Sequence, residues 1–94
     1  MELAALLRAV EKYWTTFYRL PAEQKESARK AWRIFKENPF DPRLRAHKIQ
    51  SLSAHYGRII YAVEIEGDLR SLFYLDGDIV VSLVIGTHQI YRER

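Results

Sequence analysis

The segment Leu69 to Leu75 is enclosed by two turn signals, Glu66-Gly67-Asp68 before it and Asp76-Gly77-Asp78 after it. Glycine beside an acidic residue supplies the left-handed backbone that reverses a chain between antiparallel strands. On the near side, Ile59, Tyr61, Val63 and Ile65 alternate with Ile60, Ala62, Glu64 and Glu66; on the far side Ile79, Val81, Leu83 and Ile85 recur at every second position. Alternation of period two is the spacing of a strand. The second half therefore reads as a three-stranded antiparallel meander. Leu69, Ser71, Phe73 and Leu75, with Ile79, Val81, Leu83 and Ile85, give it a largely apolar face that helices can cover.

The first half has another period. Leu3, Leu6, Leu7, Val10, Trp14 and Phe17 recur at spacings of three and four, which predicts an amphipathic helix over Met1 to Tyr18. Arg19-Leu20-Pro21 breaks it, and Pro21 suits the first turn of a second helix running to about Glu37, with Ala28, Ala31, Trp32 and Phe35 as its buried stripe. Asn38-Pro39-Phe40-Asp41-Pro42 ends that helix, because each proline removes a backbone donor. Short extended pieces at Lys48 to Leu52 and Gln89 to Tyr91 are candidates for edge strands. The expected fold is α+β: two N-terminal helices packed on one face of a small antiparallel β-sheet, in a single domain over residues 1–94.

A chain of 94 residues supports one compact core. With no cysteine, neither a disulfide framework nor a cysteine zinc site can supplement it, which fits a reducing compartment. No apolar run approaches the roughly 18 residues that cross a bilayer, and Met1 to Val10 lacks a basic start followed by an apolar stretch, so the expectation is a soluble, cytoplasmic protein. The net charge of +3 is modest. Its placement is more pointed: Arg43, Arg45, Lys48 and Arg58, with His47 and His55, lie in a segment containing no acidic residue. Such a segment suits a phosphate-binding surface, since clustered cations release counterions from a polyanion; a solvated loop is the plain alternative.

Polar residues able to do chemistry fall at His47-Lys48, Glu64, Asp68 to Arg70, and His88 to Arg92. The meander brings them together. Glu64 and Arg70 flank one turn on neighbouring strands and both alternate away from the apolar face, while His88 follows the last strand just after Gly86. A carboxylate, a guanidinium and imidazoles on one face are what RNA cleavage by transesterification demands: a base for the 2′-hydroxyl, a cation for the phosphorane-like transition state, an acid for the leaving 5′-oxygen. The alternative is a Glu64–Arg70 surface salt bridge beside exposed histidines, worth less than about 1 kcal/mol. His47, His55 and His88 show no paired metal-ligand spacing, so no metal site is expected, and no glycine-rich phosphate loop or activated Ser or Cys signature is present.

At this point the chain resembles the RelE/ParE superfamily of toxins from type II toxin–antitoxin systems. The likeness runs over residues 14–92 and is carried by Trp14 to Phe17 leading to Leu20-Pro21, Asn38-Pro39, His47-Lys48-Ile49 with Leu52, the Gly57 to Ile65 strand, Asp68-Leu69-Arg70 with Phe73, and Ile85 to Arg92. Its ending, Gly86-Thr87-His88 with Tyr91, looks like the tail of the mRNA interferases of the YafQ and YoeB type. The resemblance implies a general acid/base at His47, a carboxylate at Asp68, a phosphate-stabilising Arg70, a C-terminal catalytic His88 and Tyr91 beside the base or the histidine. Glu64 falls where some relatives carry a histidine. Lys48, with Arg43, Arg45, Arg58 and Arg92, would contact RNA. The implied activity is metal-independent and cofactor-free endoribonuclease cleavage of mRNA at the ribosome, restrained by a cognate antitoxin; the alternative is a non-catalytic binding module of the same fold, either a ParE-like gyrase inhibitor or a degenerate toxin. Relatives open with a short strand, whereas Met1 to Tyr18 reads as helix. Aromatic residues crowd positions 13 to 35, so Tyr13, Tyr18 and Phe40 are expected at the surface, available to a partner or to a second copy in a homodimer.

Overall fold

The computed structural model describes residues 6–92. Along the chain run β1 (Leu6–Ala9), α1 (Glu11–Tyr18), α2 (Ala22–Glu37), a 3-10 turn (Pro42–Leu44), β2 (His47–Lys48), α3 (Gln50–Tyr56), β3 (Tyr61–Glu66), β4 (Leu69–Asp76), β5 (Ile79–Thr87) and a second 3-10 turn (His88–Tyr91). The strands form one sheet in the order β1-β5-β4-β3-β2. The α+β fold and the meander of β3, β4 and β5 are as expected, with Gly67 at φ +47° and Gly77 at φ +61° making the two reversals.

Three expectations change. The helix read from Met1 to Tyr18 begins only at Glu11; Leu6–Ala9 is a strand lying parallel to Ile79–Ser82 of β5, so the sheet is mixed and not purely antiparallel. Over so few residues the apolar spacing satisfies either period, and the unpaired edge of β5 decides. Leu7 packs on the cluster that holds Phe35, Phe73 and Val80, and Ala9 on the cluster that holds Tyr13 and Phe17, while Arg8 between them is exposed. Leu3 lies outside the described residues. Next, the extended piece at Lys48 to Leu52 is strand only at His47–Lys48; Leu52 lies in α3 and Ile49 just ahead of it, both in one apolar cluster, and Gly57 ends the helix in left-handed backbone at φ +69°. Finally, Gln89 to Tyr91 belongs to a 3-10 turn instead of an edge strand. That turn folds Ile90 back over β5, where a Cβ on Gly86 would stand 2.8 Å from the Ile90 side chain. Glycine is required there by close approach.

Both sheet faces are covered in part. On one, α1 and α2 lay Tyr13, Phe17 and Phe35 over Val63, Leu69, Phe73, Val80 and Ile85. Phe35 meets Phe73 edge to face with ring centroids 5.0 Å apart. On the other face, α3 and the C-terminal turn bring Leu52 and Ile90 onto Ile60, Ala62, Leu72 and Val84. A register shift between Leu72 and Phe73 sets Leu72 opposite Val84 but Phe73 opposite Ser82, leaving Leu83 as the extra residue. Leu83 and Val84 consequently turn to the same side, where both pack on this second cluster.

The outer edge of β5 outlasts β1. Just past β1, the Val10 N–H donates to the Ser82 carbonyl at 3.0 Å. Farther along, the Ile85 N–H donates to Thr16 Oγ1 at 3.1 Å, and the Thr16 hydroxyl bonds back to the carbonyls of Lys12 and Tyr13 at 2.9 Å. A side chain of α1 thus takes over where the strand stops, and a partly buried donor stays satisfied. Thr16→Val keeps the shape and removes the acceptor, so we expect a loss of roughly 1–3 kcal/mol in urea denaturation. Thr16→Ser retains most of the stability.

Candidate functional site

Cross-strand register assembles the site. Glu64 on β3 stands opposite Arg70 on β4, and Arg70 opposite Gly86 on β5, all on the face that carries Ala62, Leu72 and Val84. A second register shift, between Glu64 and Glu66, turns Ile65 toward the α1 side and leaves Gly67-Asp68 as a two-residue reversal. His88 starts the C-terminal turn beside that reversal.

The Arg70 guanidinium donates to the carbonyls of Gly67 at 2.7 Å and Leu69 at 3.2 Å, and reaches Glu64 Oε1 at only 3.9 Å. It is clamped by its own turn and loosely neutralised by Glu64. Asp68 Oδ1 lies 2.6 Å from His88 Nδ1. A carboxylate accepts only, so Nδ1 is the protonated nitrogen, and Nε2 is an acceptor in the neutral ring and a donor in the charged one. The bond from His88 holds the Asp68 carboxyl below the ordinary carboxylate range. Tyr91 closes the cluster. Burial raises its hydroxyl pKa, opposed by the neighbouring Arg70 cation and reinforced by the Glu64 and Asp68 charges. Glu64, Asp68, Arg70, His88 and Tyr91 therefore form one group.

His47 stands apart. Its partner in register is Ala62, which places it on the same face as Glu64, but at the sheet edge, two strands from Arg70 and so about 10 Å away at roughly 4.8 Å per strand. Its Nδ1 donates to the Arg45 carbonyl at 2.9 Å, so here too Nε2 points outward. Of the basic residues, Arg43 is held by Asp41 through two hydrogen bonds of 3.0 Å, which also keep the Asp41 carboxyl low. Lys48 pairs in register with Tyr61, on the opposite face from Glu64. Arg45 and Arg92 are exposed, and Arg58 lies 4.1 Å above the Tyr74 ring. Sequence reasoning missed Tyr74, although its spacing from Arg70 and Leu72 is that of one strand face. It also missed Asp41, whose place ahead of Pro42 is that of a helix cap. Among the described residues no three His, Cys, Asp or Glu side chains gather as a metal site, and no helix is long and apolar enough to cross a membrane.

Away from this face, α1 and α2 enclose an open groove of about 270 Å³ lined by Tyr13, Trp14, Phe17, Tyr18, Ala28, Arg29 and Trp32. Tyr18 and Phe40 are exposed as expected, at 65% and 43%, and Trp14 also shows 43%. Tyr13 is not. It is 6% exposed, with its hydroxyl pKa raised by burial beside Ser71, because α1 turns Tyr13 and Phe17 inward in place of Trp14.

Solved structures share this arrangement at low identity. The archaeal RelE–RelB complex of Pyrococcus horikoshii matches at a TM-score of 0.69 and 12% identity, over 89% of this chain and 94% of that one. The chain has a RelE-like fold. The RelB–RelE antitoxin–toxin complex of Methanococcus jannaschii matches at 0.70 and 9%, over 92% and 95%, and YafQ of E. coli at 0.62 and 13%, over 90% and 94%. No family model and no curated protein sequence matches the chain. At such identities the likeness to RelE-like structures is one of fold.

The lowered Asp68 pKa has a signed consequence. Stability from the Asp68–His88 bond is present above the ordinary carboxylate pKa, near 3.9, and is lost as pH falls through the depressed folded value. Carboxyl carbon NMR should place the Asp68 midpoint below the ordinary range, and His88→Ala should return it upward.

Proposed function

We propose that this protein is the toxin of a toxin–antitoxin pair, acting in the cytoplasm as a metal-independent endoribonuclease that cuts mRNA at the ribosome. The observation that carries this reading is the Asp68–His88 pair set beside Arg70 and Tyr91 on one rim of the sheet. In the reaction the 2′-hydroxyl attacks the adjacent phosphorus, the bond to the 5′-oxygen breaks, and the products are a 2′,3′-cyclic phosphate and a 5′-hydroxyl. One proton leaves the 2′-oxygen and one is delivered to the 5′-oxygen.

His88 suits either transfer. Asp68 fixes its tautomer and orientation, while Nε2 faces substrate. Arg70 supplies the positive charge for the phosphorane-like state, held in place by the Gly67 and Leu69 carbonyls. Glu64, within reach of Arg70, is the nearer candidate for the second proton; His47 is the outer one, approached by RNA lying across β3. Arg45, Arg58 and Arg92 attract the backbone, with Arg43 and Lys48 as outlying contributors. The cognate antitoxin would occupy the aromatic groove between α1 and α2, as an apolar segment covering Trp14 and Tyr18.

The same groove favours a second reading, a binding module that acts through a protein partner such as gyrase and needs no catalysis. His88→Ala separates the two. In single-turnover cleavage of mRNA on ribosomes we expect the variant to be slower by about 10²- to 10⁴-fold, and induced growth arrest to disappear with it. Arrest that persists with intact mRNA would favour the binding module. For the wild type the cleavage rate should trace a bell between about pH 5 and 8; a flat profile would remove proton transfer by the site from the account.

A further inference from the structure

On the site face a second feature lies away from the Asp68–His88 pair. Tyr74 follows Arg70 and Leu72 at every second position of β4, so it shares their face, about 13 Å from Arg70 at roughly 3.3 Å per residue. The Arg58 guanidinium lies 4.1 Å above its ring. Arg58 is exposed, and no carboxylate neutralises it among the described residues. Tyr74 of this pair and Tyr91 of the site both belong, with Leu83, to the partly exposed rim of the cluster around Leu52, Leu72, Val84 and Ile90. The bulge at Leu83 is what turns that side chain into the strip.

We infer that the Arg58–Tyr74 pair is a nucleobase-stacking subsite for single-stranded RNA, holding a base a few nucleotides from the phosphate that is cut. The inference rests on the endoribonuclease reading and names a contact with its substrate. A guanidinium flattened on an aromatic ring keeps its other face open for a second planar group, and its edge donors remain free for phosphate. The distance to Arg70 spans about four stacked nucleotides at about 3.4 Å each, or fewer in an extended strand. The apolar strip between offers surface for sugars and bases without a carboxylate to repel the backbone.

The test uses fluorescence anisotropy with a labelled ten-nucleotide single-stranded RNA and the full-length His88→Ala protein, which binds without turnover. Adding Arg58→Ala should weaken binding by about 5- to 100-fold. Arg58→Lys keeps the charge but not the plane, and should lose most of that affinity. Tyr74→Leu keeps the apolar packing and guards against a folding artefact; it should weaken binding as well. An RNA with one abasic position under the pair should bind less tightly than the intact strand to the Arg58-containing protein and equally to the Arg58→Ala variant. If Arg58→Lys binds as tightly as arginine, the contact is a phosphate contact and stacking is overturned. If Arg58→Ala changes nothing while wild type still cleaves RNA, the subsite fails and the nuclease reading stands. Base-dependent binding without any cleavage by wild type would keep the subsite and sink the nuclease. Absence of both binding and cleavage would overturn both.

Discussion

The fold depends on β5 being paired along both sides. Its inner edge runs antiparallel to β4 from Ile79 to Thr87, and its outer edge takes β1 in parallel over Ile79 to Ser82. A parallel partner cannot be reached by a hairpin, so the chain must leave β1, cross the sheet and return. Helices α1 and α2 make the first part of that excursion, and their apolar stripes fill one face on the way. Where β1 stops, Thr16 continues the satisfaction of the β5 backbone. The same strand then delivers Gly86 and His88 to the site. Core closure and the aim of the histidine are therefore set by one element, and a change that loosens β5 is felt at both.

Two bulges convert this plain ladder into a site. The irregularity at Glu64 and Glu66 sets Glu64 against Arg70 while shortening the reversal to Gly67-Asp68, which brings the Gly67 carbonyl under the guanidinium. The one opposite Leu72 gathers Leu83 and Val84 on the side of α3, thickening the small second core beside which the polar cluster sits. Bulges raise local twist and re-aim side chains at sheet margins, and here each lies within two residues of a side chain used by the site or its apolar rim.

The meander was legible because period two recurs over three consecutive strands joined by two glycine reversals, but its register was not: the bulge at Leu83 puts Ile79, Val81 and Leu83 on the face of Tyr74 and only Ile85 on that of Phe73, splitting the common face expected of the four. From the order of strands and reversals the Glu64–Arg70 pairing and the nearness of His88 followed. The opening strand was not legible. Leu7 and Ala9 fit a helix as well as a strand, and the deciding term is the free edge of β5, about seventy residues away in sequence. Helix α3 offers only Ile49 and Leu52 as apolar anchors, too few to declare a period. The phase of α1 was misjudged for a related reason. Tyr13 and Trp14 are adjacent, and which of them faces inward depends on how the helix is rolled on the sheet. Alternation could place His47 on the correct face, but not across the sheet, because the edge position of β2 comes from pairing alone.

Charge near the site has a consequence for how a polyanion approaches. Glu64 and Asp68 ionised against Arg70 leave the cluster at a net −1 when His88 is neutral, and at zero when it is charged. The cluster as a whole therefore offers a phosphate no net positive charge. On the endoribonuclease reading, attraction for RNA falls to the rim, where Arg45, Arg58 and Arg92 are exposed. At physiological salt such charges act over about 8 Å, which is less than the estimated separation of Arg70 from Tyr74. On the same reading, Arg58 at the Tyr74 end can hold the strand without cancelling the carboxylates beside His88 and Arg70.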